Sequence, residues 1–139
     1  MKVAPVTKGR VLCTEDDADS RELIVVILEA QGYHVTVTGS SAHALAIARR
    51  EAFDLIMVDN RMPGLSGQEL TRAVRTFNKS TPILFYSGAG FESDKQEARD
   101  AGAQGYLVKP AGISELVEEV AKLIAEAKIA FPVAVDLPE

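Results

Sequence analysis

Five short apolar, β-branched runs recur along the chain, and each is followed by a longer segment of helical period. The runs are Val11–Thr14, His34–Thr38, Leu55–Asp59, Ile83–Ser87 and Tyr106–Val108. The segments after them, about 18–31, 40–51, 66–77, 92–101 and 113–130, largely space their apolar residues three and four apart. A run that is apolar throughout suits a strand buried on both faces, and consecutive parallel strands need a crossover, normally a helix. Strand followed by helix, five times over, therefore predicts an α/β domain: a doubly wound, five-stranded parallel sheet with helices on both faces, three layers in all.

Turn and cap residues mark the same boundaries. Gly32 stands after the first helix as a C-terminal stop, Gly39-Ser40 opens the second helix with a capping hydroxyl, and Gly102 closes the fourth. Asp17 or Asp19 is placed to cap the first helix. The last helix carries Ile113, Leu116, Val117, Val120, Ile124 and Ala127 along one stripe. The first helix places Leu23, Ile24, Ile27 and Leu28 on one face and leaves Val25 and Val26 toward solvent. That excess is either a wide core stripe or a docking patch for a partner helix. The fourth helix is the weakest: Glu92-Ser93-Asp94-Lys95-Gln96-Glu97 offers nothing apolar, which predicts a mobile or lightly packed element. Residues 1–9 and 131–139 read as flexible termini, leaving one domain over residues 10–130.

Composition narrows the function classes. The chain has 139 residues, one domain by length, and no second domain fits after residue 130. Its longest apolar run, Leu23 to Leu28, is six residues, against the roughly 20 of a membrane span. The first residues contain no apolar stretch of the signal-peptide kind, so a cytoplasmic location is the expectation. The single cysteine, Cys13, excludes an internal disulfide and a cysteine metal cluster, and reads as a small core residue. Two histidines, His34 and His43, are too few for a histidine-rich metal site. The net charge is −5; residues 1–80 balance ten basic against ten acidic side chains, and residues 81–139 carry five against ten. Direct nucleic-acid binding needs a basic footprint, which is absent, and a basic partner surface suits the acidic half better.

Ligands of an open parallel sheet bind at the carboxyl ends of its strands. There the sequence places Glu15-Asp16-Asp17 after the first strand and Asp59-Asn60-Arg61-Met62-Pro63-Gly64 at the end of the third. Ser87-Gly88 follows the fourth and Lys109-Pro110 the fifth. Each feature alone is ordinary: an acidic cluster is usually a solvated loop, a strand-end serine turn chemistry, a lysine solvent-exposed. Their convergence on one rim is not ordinary. Carboxylates held together repel and need a cation, and an all-oxygen donor set selects a hard ion, Mg²⁺ above all. An aspartate can attack phosphorus itself, and a metal, an ammonium and a hydroxyl are the groups that stabilise the phosphoryl oxygens in such a transfer.

These motifs resemble the receiver domain of two-component response regulators, the phosphoacceptor partners of histidine kinases. The resemblance covers about residues 10–130. It rests on Val11-Leu12-Cys13-Thr14-Glu15-Asp16-Asp17, Leu55-Ile56-Met57-Val58-Asp59 with Met62-Pro63-Gly64, Ser87-Gly88 and Tyr106-Leu107-Val108-Lys109-Pro110. Separations of 44, 28 and 22 residues divide Glu15, Asp59, Ser87 and Lys109. The resemblance implies the flavodoxin-like receiver fold with strand order 2-1-3-4-5. It implies Asp59 as phosphoacceptor, Asp16 and Asp59 as direct Mg²⁺ ligands, Glu15 as a water-mediated one and the Arg61 carbonyl as another. Ser87 and Lys109 would contact the phosphoryl group, Ser87 and Tyr106 would form the conformational switch, and the Lys109–Pro110 bond would be cis. A sensor histidine kinase or a histidine phosphotransfer protein would be the donor, and the chain a monomer or weak dimer that turns over no separate substrate.

The chain departs from the family pattern at Glu15, where Asp is commoner, at Cys13 and Thr14, where aliphatic residues are usual, and at Ala111, where an aromatic is frequent. The Arg61 side chain is placed either to shield the phosphoryl bond or to point into solvent. Three other readings share parts of the pattern. A phosphatase of the haloacid dehalogenase type wants a second Asp two positions after the nucleophile, where Arg61 stands. A flavodoxin-like nucleotide binder wants a Gly-rich loop after the first strand. A receiver fold acting as a non-phosphorylated interaction module would not need the whole set of Glu15, Asp16, Asp59, Ser87 and Lys109. The receiver could equally be excised from a hybrid kinase or a multidomain regulator.

Overall fold

Strict alternation along the first strand, β1 (Gly9–Thr14), divides the core in two. Val11 and Cys13 pack with one cluster of buried side chains, and Leu12, between them, packs with the other. The computed structural model describes residues 7–132. After β1 come α1 (Ala18–Ala30), β2 (Tyr33–Thr38), α2 (Ser41–Arg50), β3 (Leu55–Val58) and α3 (Gly67–Arg75). They are followed by β4 (Ile83–Ser87), α4 (Glu92–Ala101), β5 (Gly105–Val108) and α5 (Ile113–Ala130). All strand pairs are parallel and the order is β2-β1-β3-β4-β5. The register aligns Val11 with Val35 on one side and Leu55 on the other.

Helices α1 and α5 cover one face through Ile24, Leu28, Leu116, Val120, Leu123 and Ile124. Helices α2, α3 and α4 cover the other through Ala44, Ile47, Leu70, Val74 and Ala98 against Ile56, Val58, Ile83 and Phe85. The caps stand where turn chemistry put them. Asp17, not Asp19, caps α1 by accepting from Ser20 N at 2.8 Å, and Ser40 caps α2 by accepting from His43 N at 3.2 Å. Gly32 and Gly102 follow their helices with φ of 98° and 116°, the left-handed region open to glycine.

Four local expectations change. Leu23 is 57% and Ile113 62% exposed. The covered face of α1 centres on Ile24 and Leu28, which leaves Leu23 beside Val26 on the outside. The stripe of α5 meets the sheet only from Leu116 onward, so its first turn lies uncovered, while Leu123, missed in the stripe, is buried. Strand β3 ends at Val58, one residue before Asp59. Of the expected loose ends, residues 1–6 and 133–139 lie outside the described residues; Lys8 instead donates to Gly32 O at 2.9 Å and Gly9 begins β1. Helix α4 buries only Ala98 and Ala101, in keeping with its polar sequence.

Candidate functional site

The site is assembled by backbone extending past the strand ends. Glu15 N donates to Thr38 O at 3.1 Å and Asp59 N to Thr14 O at 3.3 Å, so both residues continue the ladder beyond β1 and β3. The Thr14 hydroxyl donates to Met57 O at 3.0 Å and ties the two strand ends together. Glu15, 2% exposed, and Asp59, 8% exposed, are buried, whereas Asp16 is exposed at the rim. The three offer carboxylate oxygens that all lie within 4.8 Å of one another.

Lys109 enters this cluster from the end of β5. Its backbone N donates to Ser87 O at 2.8 Å, continuing the β4–β5 pairing, and the Lys109–Pro110 peptide bond is cis. Its ammonium donates to Glu15 Oε2 and, at 3.1 Å, to Asp59 Oδ2, and it lies 5.2 Å from the centre of the Tyr86 ring. Burial works against the Lys109 charge, yet its hydrogen bonds to Glu15 and Asp59 prevail and hold its pKa above the ordinary lysine value. Burial pushes the Glu15 carboxyl up, against the lowering effect of the Lys109 hydrogen bond. Asp59 Oδ1 accepts from Arg61 N at 3.1 Å. The Arg61 backbone thus lies against the carboxylate while its side chain is exposed. The following loop is pinned by Ser41, whose hydroxyl donates to Pro63 O at 3.1 Å and accepts from Leu65 N at 2.9 Å. An open groove of ≈ 480 Å³, lined by Asp16, Asn60, Arg61, Met62, Pro63 and Ser66, gives access from solvent.

Ser87 and Tyr106 meet at one residue, Ala89, through the peptide units on either side of it. Ser87 Oγ accepts from Ala89 N at 3.2 Å, and the Tyr106 hydroxyl donates to Ala89 O at 2.6 Å. Tyr106 pairs with Phe85 across β4 and β5, and the rings stack with centroids 5.6 Å apart. Neither histidine joins the site: His34 is exposed on the edge strand β2, and His43 Nδ1 lies 3.0 Å from Thr38 Oγ1.

Sequence reasoning missed several residues that shape this rim. Arg21 Nη1 donates to Glu15 O and Asp16 O, and Gly67 abuts the Asp59 and Asn60 backbone. The only signal for Arg21 was its place one turn into α1, among ordinary surface charges. Gly67 follows Ser66, whose hydroxyl caps α3 by accepting from Glu69 N at 3.1 Å, and nothing in the sequence records what that glycine touches.

The donor set is carboxylate oxygen throughout and strongly anionic, which fits Mg²⁺; Glu15, Asp16 and Asp59 are the side chains that would hold it. Fold and site together define a doubly wound α/β domain with an acidic cation pocket at the strand ends. The chain matches the family model of the response regulator receiver domain over residues 11–121, and it belongs to that family. It is 36% identical to the transcriptional activator protein PfeR of Pseudomonas aeruginosa over 124 residues, 89% of this chain and 40% of PfeR. It is 32% identical to the transcriptional regulatory protein ResD of Bacillus subtilis over 118 residues, 85% of this chain and 49% of ResD. It therefore spans half or less of the length of these relatives. The receiver domain of the Francisella response regulator 1452 superposes with a TM-score of 0.82 at 30% identity, covering 87% of this chain and 100% of that one. The receiver domain of the sensor histidine kinase PA1611 of P. aeruginosa, with a magnesium ion in its active site cleft, gives 0.79 at 28% identity, covering 84% and 98%. Among the described residues no helix is long and apolar enough to cross a membrane.

Proposed function

We propose that this receiver takes a phosphoryl group onto Asp59 in a Mg²⁺-dependent transfer, from the phosphohistidine of a sensor histidine kinase or a histidine phosphotransfer protein. The observation that carries the reading is the buried Asp59 carboxylate, ion-paired to Lys109 at 3.1 Å and grouped with Glu15 and Asp16 at the end of β3.

Asp59 is the nucleophile: a carboxylate oxygen attacks phosphorus, the P–N bond of a phosphohistidine protonated on its other ring nitrogen breaks, and the ring leaves with the electron pair as neutral imidazole. Lys109 is the compact cation that orients the carboxylate and pairs with the phosphoryl oxygens as charge builds on them. Ser87 supplies a hydroxyl to one of those oxygens. Glu15 and Asp16 would hold the cation together with Asp59, and the Arg61 carbonyl would be a further ligand. When bound, Mg²⁺ neutralises the carboxylates and the phosphoryl oxygens together. Water later hydrolyses the acyl phosphate, returning Asp59 and inorganic phosphate, so the chain acts on itself and turns over no separate substrate. Ser87 and Tyr106 form the switch that reports the phosphoryl group to the surface of α4, β5 and α5. That surface is acidic and suited to a basic partner. We place the reaction in the cytoplasm, where the nucleotide-fed kinases that supply phosphohistidine work.

Intact-mass measurement after incubation with acetyl phosphate and Mg²⁺ should show one phosphoryl adduct, absent in Asp59→Asn and without Mg²⁺. Asp16→Ala should lose the adduct more completely than Glu15→Gln. Equal labelling of Asp59→Asn and wild type would overturn the assignment.

A further inference from the structure

Glu15 and Asp16 follow β1, and the loop that carries them makes one hydrogen bond within itself, from Asp17 N to Glu15 Oε1 at 3.2 Å. The β1–β2 ladder ends at the Glu15 N to Thr38 O bond, and α1 begins only after its cap Asp17. Asp16 is exposed, so packing does not aim its carboxylate, and three carboxylates within 4.8 Å tend to drive the loop apart. One side chain grips this backbone from outside. Arg21 Nη1 donates to Glu15 O at 2.8 Å and to Asp16 O at 3.0 Å. Fixing two successive carbonyls fixes the peptide planes between them, and with these the directions in which the Glu15 and Asp16 side chains leave the loop.

A second observation, on another element, matches the first. A Cβ at Gly39 would stand 2.7 Å from Arg21 Nη1. The turn between β2 and α2 therefore leaves a gap that the guanidinium occupies, and any side chain at position 39 would push it off the carbonyls. Gly39 has no need of a left-handed φ, since its backbone is not among the positive-φ glycines. The close approach of Arg21 is the steric reason for its lack of a side chain.

We infer that Arg21 is a positioning residue: it holds the Glu15–Asp16 backbone in the geometry that binds the divalent cation, and Gly39 makes room for it to do so. The inference rests on reading Glu15 and Asp16 as cation ligands. It carries a sign that electrostatics alone reverses. A positive side chain near a cation site opposes binding, so removing its charge should tighten Mg²⁺ if charge were its whole effect. If position is the effect, removal weakens Mg²⁺.

The test is a Mg²⁺ titration followed by amide chemical shifts of Glu15, Asp16, Asp17 and Asp59. It uses wild type, Arg21→Gln, Arg21→Lys, Gly39→Ala and the double variant Arg21→Gln/Gly39→Ala. Arg21→Gln should raise the dissociation constant about tenfold, the low end of what outer-shell partners contribute. Gly39→Ala keeps every charge and should raise it by a similar factor, because the displaced group is the free end of a flexible chain and the fold need not move. Arg21→Lys should fall between. The double variant should be no weaker than Arg21→Gln within about a factor of two, since both substitutions break one contact. Without metal, amide hydrogen exchange at Asp16 and Asp17 should speed up in Arg21→Gln and Gly39→Ala. Tighter or unchanged Mg²⁺ binding in these two variants, with normal binding in wild type, overturns the inference and leaves the cation site standing. A wild-type protein whose Glu15, Asp16 and Asp59 amides ignore Mg²⁺ overturns the proposed function itself.

Discussion

Replacing Gly67 with alanine should loosen the backbone at the end of β3 beside Asp59. Gly67 opens α3, and its N–H donates to Asn60 O at 3.1 Å. A Cβ there would stand 2.6 Å from Asp59 O, 2.8 Å from Phe85 Cε2 and 3.0 Å from Asn60 Cα. Two of these neighbours are backbone and the third is a fully buried ring, so none can move without shifting the core. Overpacking of this kind costs about 1–3 kcal/mol. The preference of a helix for Ala over Gly returns at most about 1 kcal/mol. Three close contacts put the overpacking cost at the middle of that range, about 2 kcal/mol, so the net loss is about 1–2 kcal/mol. With a urea slope of about 2 kcal/mol/M, the unfolding midpoint should drop by about 0.5–1 M. Relief of the clash requires α3 to retreat from the Asp59–Asn60 peptide, so Mg²⁺-dependent labelling of Asp59 should slow as well. Gly88→Ala, where the added Cβ meets nothing within 4 Å, should leave the midpoint within about 0.25 M. An unchanged or higher midpoint in Gly67→Ala would refute the steric argument.

Two further outcomes follow from buried groups. Burial first, and then the Glu15 charge, push the Cys13 thiol from 9.0 up to about 12. The folded state thus keeps a proton that the unfolded chain sheds. This contribution to stability is intact below about pH 9 and declines as pH rises toward 12, by at most about 1.4 kcal/mol per pH unit. Cys13→Val should flatten that alkaline decline in denaturant midpoints; an identical slope would assign it to other groups. Ser87→Ala leaves the buried Ala89 N–H without its 3.2 Å partner, costing about 1–3 kcal/mol. Asp59 should remain phosphorylatable in that variant. The chemical-shift response to a beryllofluoride mimic across residues 89–106 should shrink, and a response equal to that of wild type would remove Ser87 from the proposed switch.

The element order and the chemistry of the rim were legible in the sequence because both are local. A strand buried on two faces must read as an apolar run, as Leu55-Ile56-Met57-Val58 does, and a parallel sheet collects whatever follows its strands at one edge. That places Glu15, Asp16, Asp59, Ser87 and Lys109 on one rim from the sequence alone. Periodicity could not decide which apolar residues of α1 and α5 would find cover. Leu23 and Ile113 share the chemistry of Ile24 and Leu116, and only the placement of the helices on the sheet separates them. Nor could the sequence say that Lys109 binds Glu15 as well as Asp59, or that Ser87 and Tyr106 meet at Ala89. The grip of Arg21 on the acidic loop and the gap left by Gly39 were equally hidden. Each of these contacts joins residues of different elements through atoms a few ångströms apart, and such distances exist only once the sheet has set the register of its strands and the helices have packed against it.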